Sequence, residues 1–258
     1  MMRKAATIVA LAATSLGLVA TSSAEVTQQG GVRVNFGGEM SPQRLPREGT
    51  APIAVSVSAK IVPVGGAKSP QLRRISLAIN RYGRIDGAGL PVCRVADIQP
   101  STSAKAKQAC GQSLVGNGSF SARVLLPEQT PFPSAGKILA FHGVHEGKPA
   151  ILAHVYGTSP APTSFTLPFV IGETGGTFGT TLSARLPEVT SEWGYVTGLE
   201  LNLQRRYRWA GKARSYVSAG CPAPKGLSGA VFPFVKAKFG FKGLEIGSTV
   251  TRQCRARG

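Results

Sequence analysis

Acidic residues are scarce in this chain of 258 residues: 12 Asp and Glu stand against 30 Lys and Arg, and the only aspartates are Asp86 and Asp97. Histidine is confined to His142, His145 and His154. Charged residues are 16% of the chain and aromatics 7%, which is too little charge for a disordered polyelectrolyte. The 32 glycines follow no three-residue period and no heptad run is sustained, so collagen-like and coiled-coil architectures are excluded. No G-x-x-x-x-G-K-[ST] loop and no helix-opening G-x-G-x-x-G stretch occurs, which leaves nucleotide binding unsupported. A G-x-S-x-G elbow is missing too; Gly226-Leu227-Ser228-Gly229 falls one residue short.

The N-terminus points to export. Arg3 and Lys4 precede an uncharged stretch rich in Ala, Val and Leu from Ala5 to Ala20. Ser22 and Ala24 are small residues at the spacing of a signal-peptidase site, which predicts cleavage after Ala24. The apolar stretch is shorter than the roughly 20 residues of a bilayer-spanning helix. Loss of Arg3 and Lys4 leaves 28 basic against 12 acidic residues, a surplus of 16. Such a surplus attracts anionic polymers and anionic membrane surfaces, and it also serves solubility.

Export changes the meaning of Cys93, Cys110, Cys221 and Cys254. An even count in an oxidising compartment suggests disulfides, and four cysteines allow three pairings. Cys93–Cys110 and Cys221–Cys254 are favoured because they close the shorter loops. A zinc site needs close pairs such as C-x₂-C, which are lacking, and no metal or other cofactor is expected.

The hydrophobic pattern is that of strands. Ile53, Val55, Val57, Ala59 and Ile61 alternate with small or polar residues, as do Ile75, Leu77 and Ile79, and Leu199, Leu201 and Leu203. Further strands are predicted near 119–126, 137–142, 150–156, 164–171, 177–185, 214–219, 230–241 and 246–253. Pro168 and Pro233 mark edge positions or bulges within theirs. Residues 102–110 form the single predicted helix, with a Ser/Thr cap before it. Residues 25–50, rich in Gly and polar residues, read as a flexible lead-in to one domain over 51–258. The alternative is a split near 157–163 into two smaller sandwiches. The fold class that follows is an all-β sandwich, jelly-roll or immunoglobulin-like, with one short helix.

Several phrases occur together: QLRRISLAINR at 71–81, GLPVCR at 89–94, PFPSAGKILAF at 131–141, PAILAHVYG at 149–157, WGYVTG at 193–198, SYVSAGCPAP at 215–224 and VFPF at 231–234. In these the chain resembles a family of exported actinobacterial proteins that have four cysteines and no assigned activity. The resemblance covers roughly residues 45–255. It implies export and the cysteine framework, and it assigns no catalytic residues.

Three constellations are candidates for chemistry. The histidines lie on a predicted hairpin. If paired residue numbers sum to an odd total, His142 and His154 face opposite ways; if even, about four pair-steps, or roughly 13 Å, separate them. Either arrangement is unfit for one ion. Glu188, Glu192 and Glu200, with Trp193 and Tyr195, supply the elements of a glycosidase site without a spacing that specifies one.

The third constellation is the segment QRRYRWAGKARSY at 204–216. Arg205, Arg206, Arg208, Lys212 and Arg214 interleave with Tyr207, Trp209 and Tyr216 in a hairpin whose tip is 210–212. Arginine beside aromatic side chains grips anionic polymers by charge and by stacking. Arg252, Arg255 and Arg257 add to the charge. The competing reading is a solvated edge hairpin whose charges block sheet-to-sheet association. Export favours an anionic cell-wall polymer or an anionic membrane surface over nucleic acid as partner. The leading expectation is thus a non-enzymatic envelope protein. A carbohydrate-active hydrolase using Glu188 and Glu192, and a carrier with an apolar cleft between its sheets, are the alternatives.

Overall fold

The structure, a computed structural model, describes residues 24–66, 71–125, 128, 130–159, 161–187 and 194–257. The strands are β1 (Glu25–Gln29), β2 (Val32–Ser41), β3 (Arg44–Pro46), β4 (Ala51–Pro52), β5 (Ala54–Pro63), β6 (Leu72–Asn80), β7 (Gly83–Ile85), β8 (Cys93–Arg94), β9 (Leu114–Val124) and β10 (Phe132–His145). After them come β11 (Lys148–Gly157), β12 (Thr163–Glu173), β13 (Phe178–Arg185), β14 (Gly194–Leu203), β15 (Arg206–Trp209), β16 (Lys212–Ser215), β17 (Val217–Ala219), β18 (Gly229–Phe241) and β19 (Leu244–Arg257). Two helices, α1 (Val95–Ile98) and α2 (Ser103–Cys110), separate β8 from β9. The predicted helix is α2, capped by the Thr102 side chain, which accepts from Lys105 N at 3.3 Å. The preceding single turn, α1, is an addition to the one helix expected.

Most strands join one curled sheet in the order β1-β2-β5-β14-β9-β10-β11-β12-β13-β6-β18-β19-β3. Its ends approach each other, with β1 against β19, so the inner face wraps around a sandwich-like core. Side chains of β2, β5 and β14 meet those of β6, β13 and β18 there. The Phe36 and Phe239 rings, for example, are 5.8 Å apart edge to face. The sheet is continuous across 157–163, where β11 pairs directly with β12. Pro233 lies at the register shift of β18 on β19, and Pro168 lies before β13 begins to pair with β12. Neither proline interrupts a ladder on both sides.

The lead-in reading of residues 25–50 is overturned. Val32, Val34, Phe36 and Met40 are buried, and β2 pairs with β5 along ten residues of register. Gly37 and Gly38 weakened the strand pattern. A Cβ at Gly38 would sit tightly against Val235 at 3.2 Å and Phe234 at 3.3 Å, so a larger residue there requires those side chains to shift.

A second, smaller core explains the continuous apolar runs of β10 and β11. Leu139, Phe141, Ala150 and Leu152 point outward from the sheet, and Cys93, Ile98, Ala106 and Cys110 of the helical flap cover them. Both predicted disulfides form. Cys93–Cys110 closes that flap, and Cys221–Cys254 ties the segment after β17 to β19, each with Cα atoms 5.7 Å apart. Disulfides of this kind belong to an oxidising, extracellular environment. No helix among the described residues is long and apolar enough to cross a membrane.

At one end, a small sheet in the order β4-β17-β7 closes the core, and the β15–β16 hairpin projects beside it. Behind this cap, the packed interior retains two apolar hollows of about 60 Å³ each.

Candidate functional site

The basic hairpin forms with the predicted tip. Ala210 and Gly211 both adopt positive φ, 49° and 75°, between Trp209 and Lys212, the geometry of a two-residue type I′ turn. Strand alternation then divides its side chains. Tyr207, Trp209, Lys212 and Arg214 share one face; Arg206 and Arg208 lie on the other.

The first face is used within the molecule. The Tyr207 hydroxyl donates to Ala88 O at 2.8 Å, with Asp86 O at 3.2 Å. Arg214 pairs with Asp86 at 3.3 Å and stacks over the Trp209 ring at 5.2 Å. The Trp209 indole covers Gly89, where a Cβ would overlap the ring and where φ is +83°. Asp86 turns its other carboxylate oxygen to Ala88 N at 2.9 Å and donates its own N–H to Tyr216 O at 2.9 Å. Tyr207, Trp209 and Arg214 thus bolt the hairpin to the 86–90 loop. The stacking surface expected for a ligand is largely occupied, although Trp209 keeps 44% of its surface exposed.

Beneath the bolt, Tyr216 is fully buried and His142 packs edge-on against it at 5.7 Å. Gly87 has no room for a Cβ against the His142 ring. Burial lowers the pKa of His142, against a smaller opposing pull from Asp86. Burial likewise raises those of Tyr207 and Tyr216.

Arg206, Arg208 and Lys212 remain exposed. Arg208 donates to Gly211 O at 3.1 Å, and none of the three has a carboxylate partner among the described residues. Arg205 is half-buried, and its carbonyl accepts from Tyr216 N at 2.9 Å.

The histidines do not converge. His142 pairs with Ile151 and Leu139 with His154, an odd total, so His142 faces the inner core and His154 the outer face beneath the helical flap. His154 is fully buried among the described residues with neither ring nitrogen hydrogen-bonded, and burial lowers its pKa. His145 ends β10 beside Glu146 at 3.7 Å. Cys93, Asp97 and Cys110 cluster, but the two sulfurs are bonded to each other and Asp97 accepts from Arg94 N at 2.8 Å. That trio is a disulfide beside a helix cap. Glu188, Glu192 and Trp193 lie outside the described residues. Glu200 is exposed on β14 and accepts from Asn202 at 3.1 Å.

Sequence reasoning missed the partner of the hairpin, the 86–90 loop, which lies more than 100 residues earlier. It also missed Arg47, Arg81 and Arg84, which border an open cleft on the cap with Thr50 and Tyr82. Comparison with protein-family profiles, curated proteins and solved structures gives no match.

Proposed function

We propose that this chain is an exported, non-enzymatic binding protein of the bacterial cell envelope that holds an anionic wall polymer on the outward face of its basic hairpin. The observation that carries the reading is the pair Arg206 and Arg208, exposed and without carboxylate partners on the hairpin face opposite Tyr207, Trp209 and Arg214, with Lys212 exposed beside the tip. A fixed hairpin presents its cations without the entropy cost of ordering them on contact. The signal-like N-terminus, the two disulfides, the basic surplus and the resemblance to exported actinobacterial proteins support the compartment. The contact rests on charge rather than stacking, because Tyr207 and Trp209 are engaged by the 86–90 loop.

Co-sedimentation of the purified protein with bacterial cell walls tests this reading. Binding at low salt that falls at high salt, and is lost when Arg206 and Arg208 are both changed to Ser, is the expected result. Equal pelleting of the variant and the parent contradicts it.

A further inference from the structure

Three arginines meet at the cap without a counter-charge. Arg47 comes from the chain between β3 and β4, Arg81 from the turn after β6 and Arg84 from β7. With Gly49, Thr50 and Tyr82 they border an open cleft of about 530 Å³. None of the three is paired with a carboxylate among the described residues. Glu48 follows Arg47 in sequence but does not line the cleft. Cations gathered around one opening repel each other, and an anion seated between them relieves that repulsion.

The frame of the cleft is fixed before any ligand arrives. Arg47 is half-buried, and its guanidinium donates to the carbonyls of Ala223, Pro224 and Leu227. The fork has more N–H donors than these carbonyls use. The Arg81 guanidinium lies over the Tyr82 ring at 5.4 Å. Tyr82 N donates to Asn80 Oδ1 at 3.1 Å, and Tyr82 O accepts from Gly220 N at 3.0 Å. Asn80 is itself buried and donates to Pro233 O at 2.7 Å. On the other side, Pro46 O accepts from Cys221 N, beside the disulfide, at 2.8 Å. The 46–49 segment passes so near Gly220 that a Cβ there would stand 2.6 Å from Gly49 O. Thr50 Oγ1 accepts from Ser218 Oγ at 3.1 Å, which leaves its own O–H to donate. Both walls are thus fastened to β17 and the residues after it, and cations held in place bind with a smaller ordering cost.

The contrast with the hairpin selects the ligand. Arg206 and Arg208 follow one another along one strand face and suit successive charges of a polymer, whereas Arg47, Arg81 and Arg84 surround one opening and suit a compact anion of more than one charge. We propose that the cap cleft binds a dianionic phosphate, free or as a monoester, on Arg47, Arg81 and Arg84, with Thr50 donating a further hydrogen bond. A phosphate monoester carries nearly two negative charges at neutral pH and three acceptor oxygens, enough to engage more than one guanidinium fork at once. A carboxylate or a phosphodiester brings a single charge to the same space.

Calorimetric titration of the purified protein at low salt and about pH 7.5, above the second phosphate pKa near 6, tests the site. The ligands are glycerol 3-phosphate, inorganic phosphate, dimethyl phosphate and acetate. Both dianions bind, and the two monoanions bind roughly tenfold or more weakly. Tighter binding of glycerol 3-phosphate than of inorganic phosphate assigns the cleft to the ester, and the reverse order assigns it to the free ion; either upholds the proposal. Changing Arg81 and Arg84 together to Ser weakens the tighter dianion roughly tenfold or more. Both residues are exposed, so the fold is retained. Changing Arg206 and Arg208 to Ser removes the same charge from the hairpin and leaves that affinity within about twofold of the parent, since those charges act only through screened, long-range attraction. The proposal is overturned if neither dianion binds, if dimethyl phosphate binds as tightly as glycerol 3-phosphate, or if the two double variants weaken binding equally. The ligand series needs no variant. Pelleting with cell walls is a separate measurement, so failure here leaves the wall-binding reading intact.

Discussion

The basic hairpin gathers Arg205, Arg206, Arg208, Lys212 and Arg214 within ten residues of sequence, whereas Arg47, Arg81 and Arg84 reach the cleft from two separate stretches of chain, Arg84 from β7. In the first group, alternation turns Arg214, with Tyr207 and Trp209, to Asp86 and the 86–90 loop, while Arg206, Arg208 and Lys212 meet solvent. In the second, residues far apart in sequence present unpaired cations around one opening, above an apolar hollow. Density of charge along a chain is therefore a poor guide to density of charge in space. What lies beneath the charge differs too: the 86–90 loop under the hairpin, a mostly apolar interior under the cleft.

The disulfides separate the two groups most strongly. Replacing Cys221 and Cys254 by Ser opens a 33-residue loop and is expected to cost about 4 kcal/mol in urea unfolding. It also frees the segment that braces Pro46. Replacing Cys93 and Cys110 opens a 17-residue loop at about 3 kcal/mol and loosens the helical flap over Leu139, Phe141 and Leu152. A smaller loss for the Cys221–Cys254 pair than for Cys93–Cys110 would contradict the loop-length argument.

Gly89→Ala addresses the hairpin's fastening. The Cβ meets the Trp209 indole at a positive φ, and a loss of about 2 kcal/mol is expected from strain and displaced packing. Tyr207→Phe removes the hydroxyl that anchors to Ala88 O and costs about 1 kcal/mol, while wall binding through Arg206 and Arg208 persists.

Acid sharpens the same contrast. Burial lowers the pKa of His142 and of His154 below the ordinary 6.5, so the unfolded chain takes up protons that the folded chain refuses. Stability is therefore full above the unfolded value and declines as pH falls below about 6.5 toward the folded values. His154→Leu flattens part of this decline in denaturant titrations at several pH values and leaves the hairpin unaffected. His142→Phe flattens the remainder, from behind Tyr216. An acid limb unchanged in both variants would contradict the assignment.

Much of the architecture was legible because each strand carries its own signal. Leu199, Leu201 and Leu203 alternate with polar residues, and the loop lengths of the cysteines pointed to the pairing that forms. The first three strands were not legible, although Val32, Val34 and Phe36 alternate cleanly. Gly37, Gly38, Pro42 and Pro46 carry the composition of a linker, and the reason for Gly38 lies on β18, some 200 residues away. The hairpin's tip could be read from Ala210-Gly211, but the direction of its faces could not. That direction is set by Asp86, Ala88 and Gly89, which only tertiary structure brings to Tyr207, Arg214 and Trp209. The cleft left no sequence trace, since no local pattern links Arg47 to Arg81 and Arg84.

The central claim is that the exposed cations of the hairpin hold an anionic polymer, and co-sedimentation of two double variants with cell walls, side by side, tests it most directly. With Arg206 and Arg208 changed to Ser, binding at low salt is lost. With Arg81 and Arg84 changed to Ser, which removes the same charge from the cleft, binding persists. Equal weakening in both variants would show that binding responds to overall charge alone, and the division between hairpin and cleft would fail.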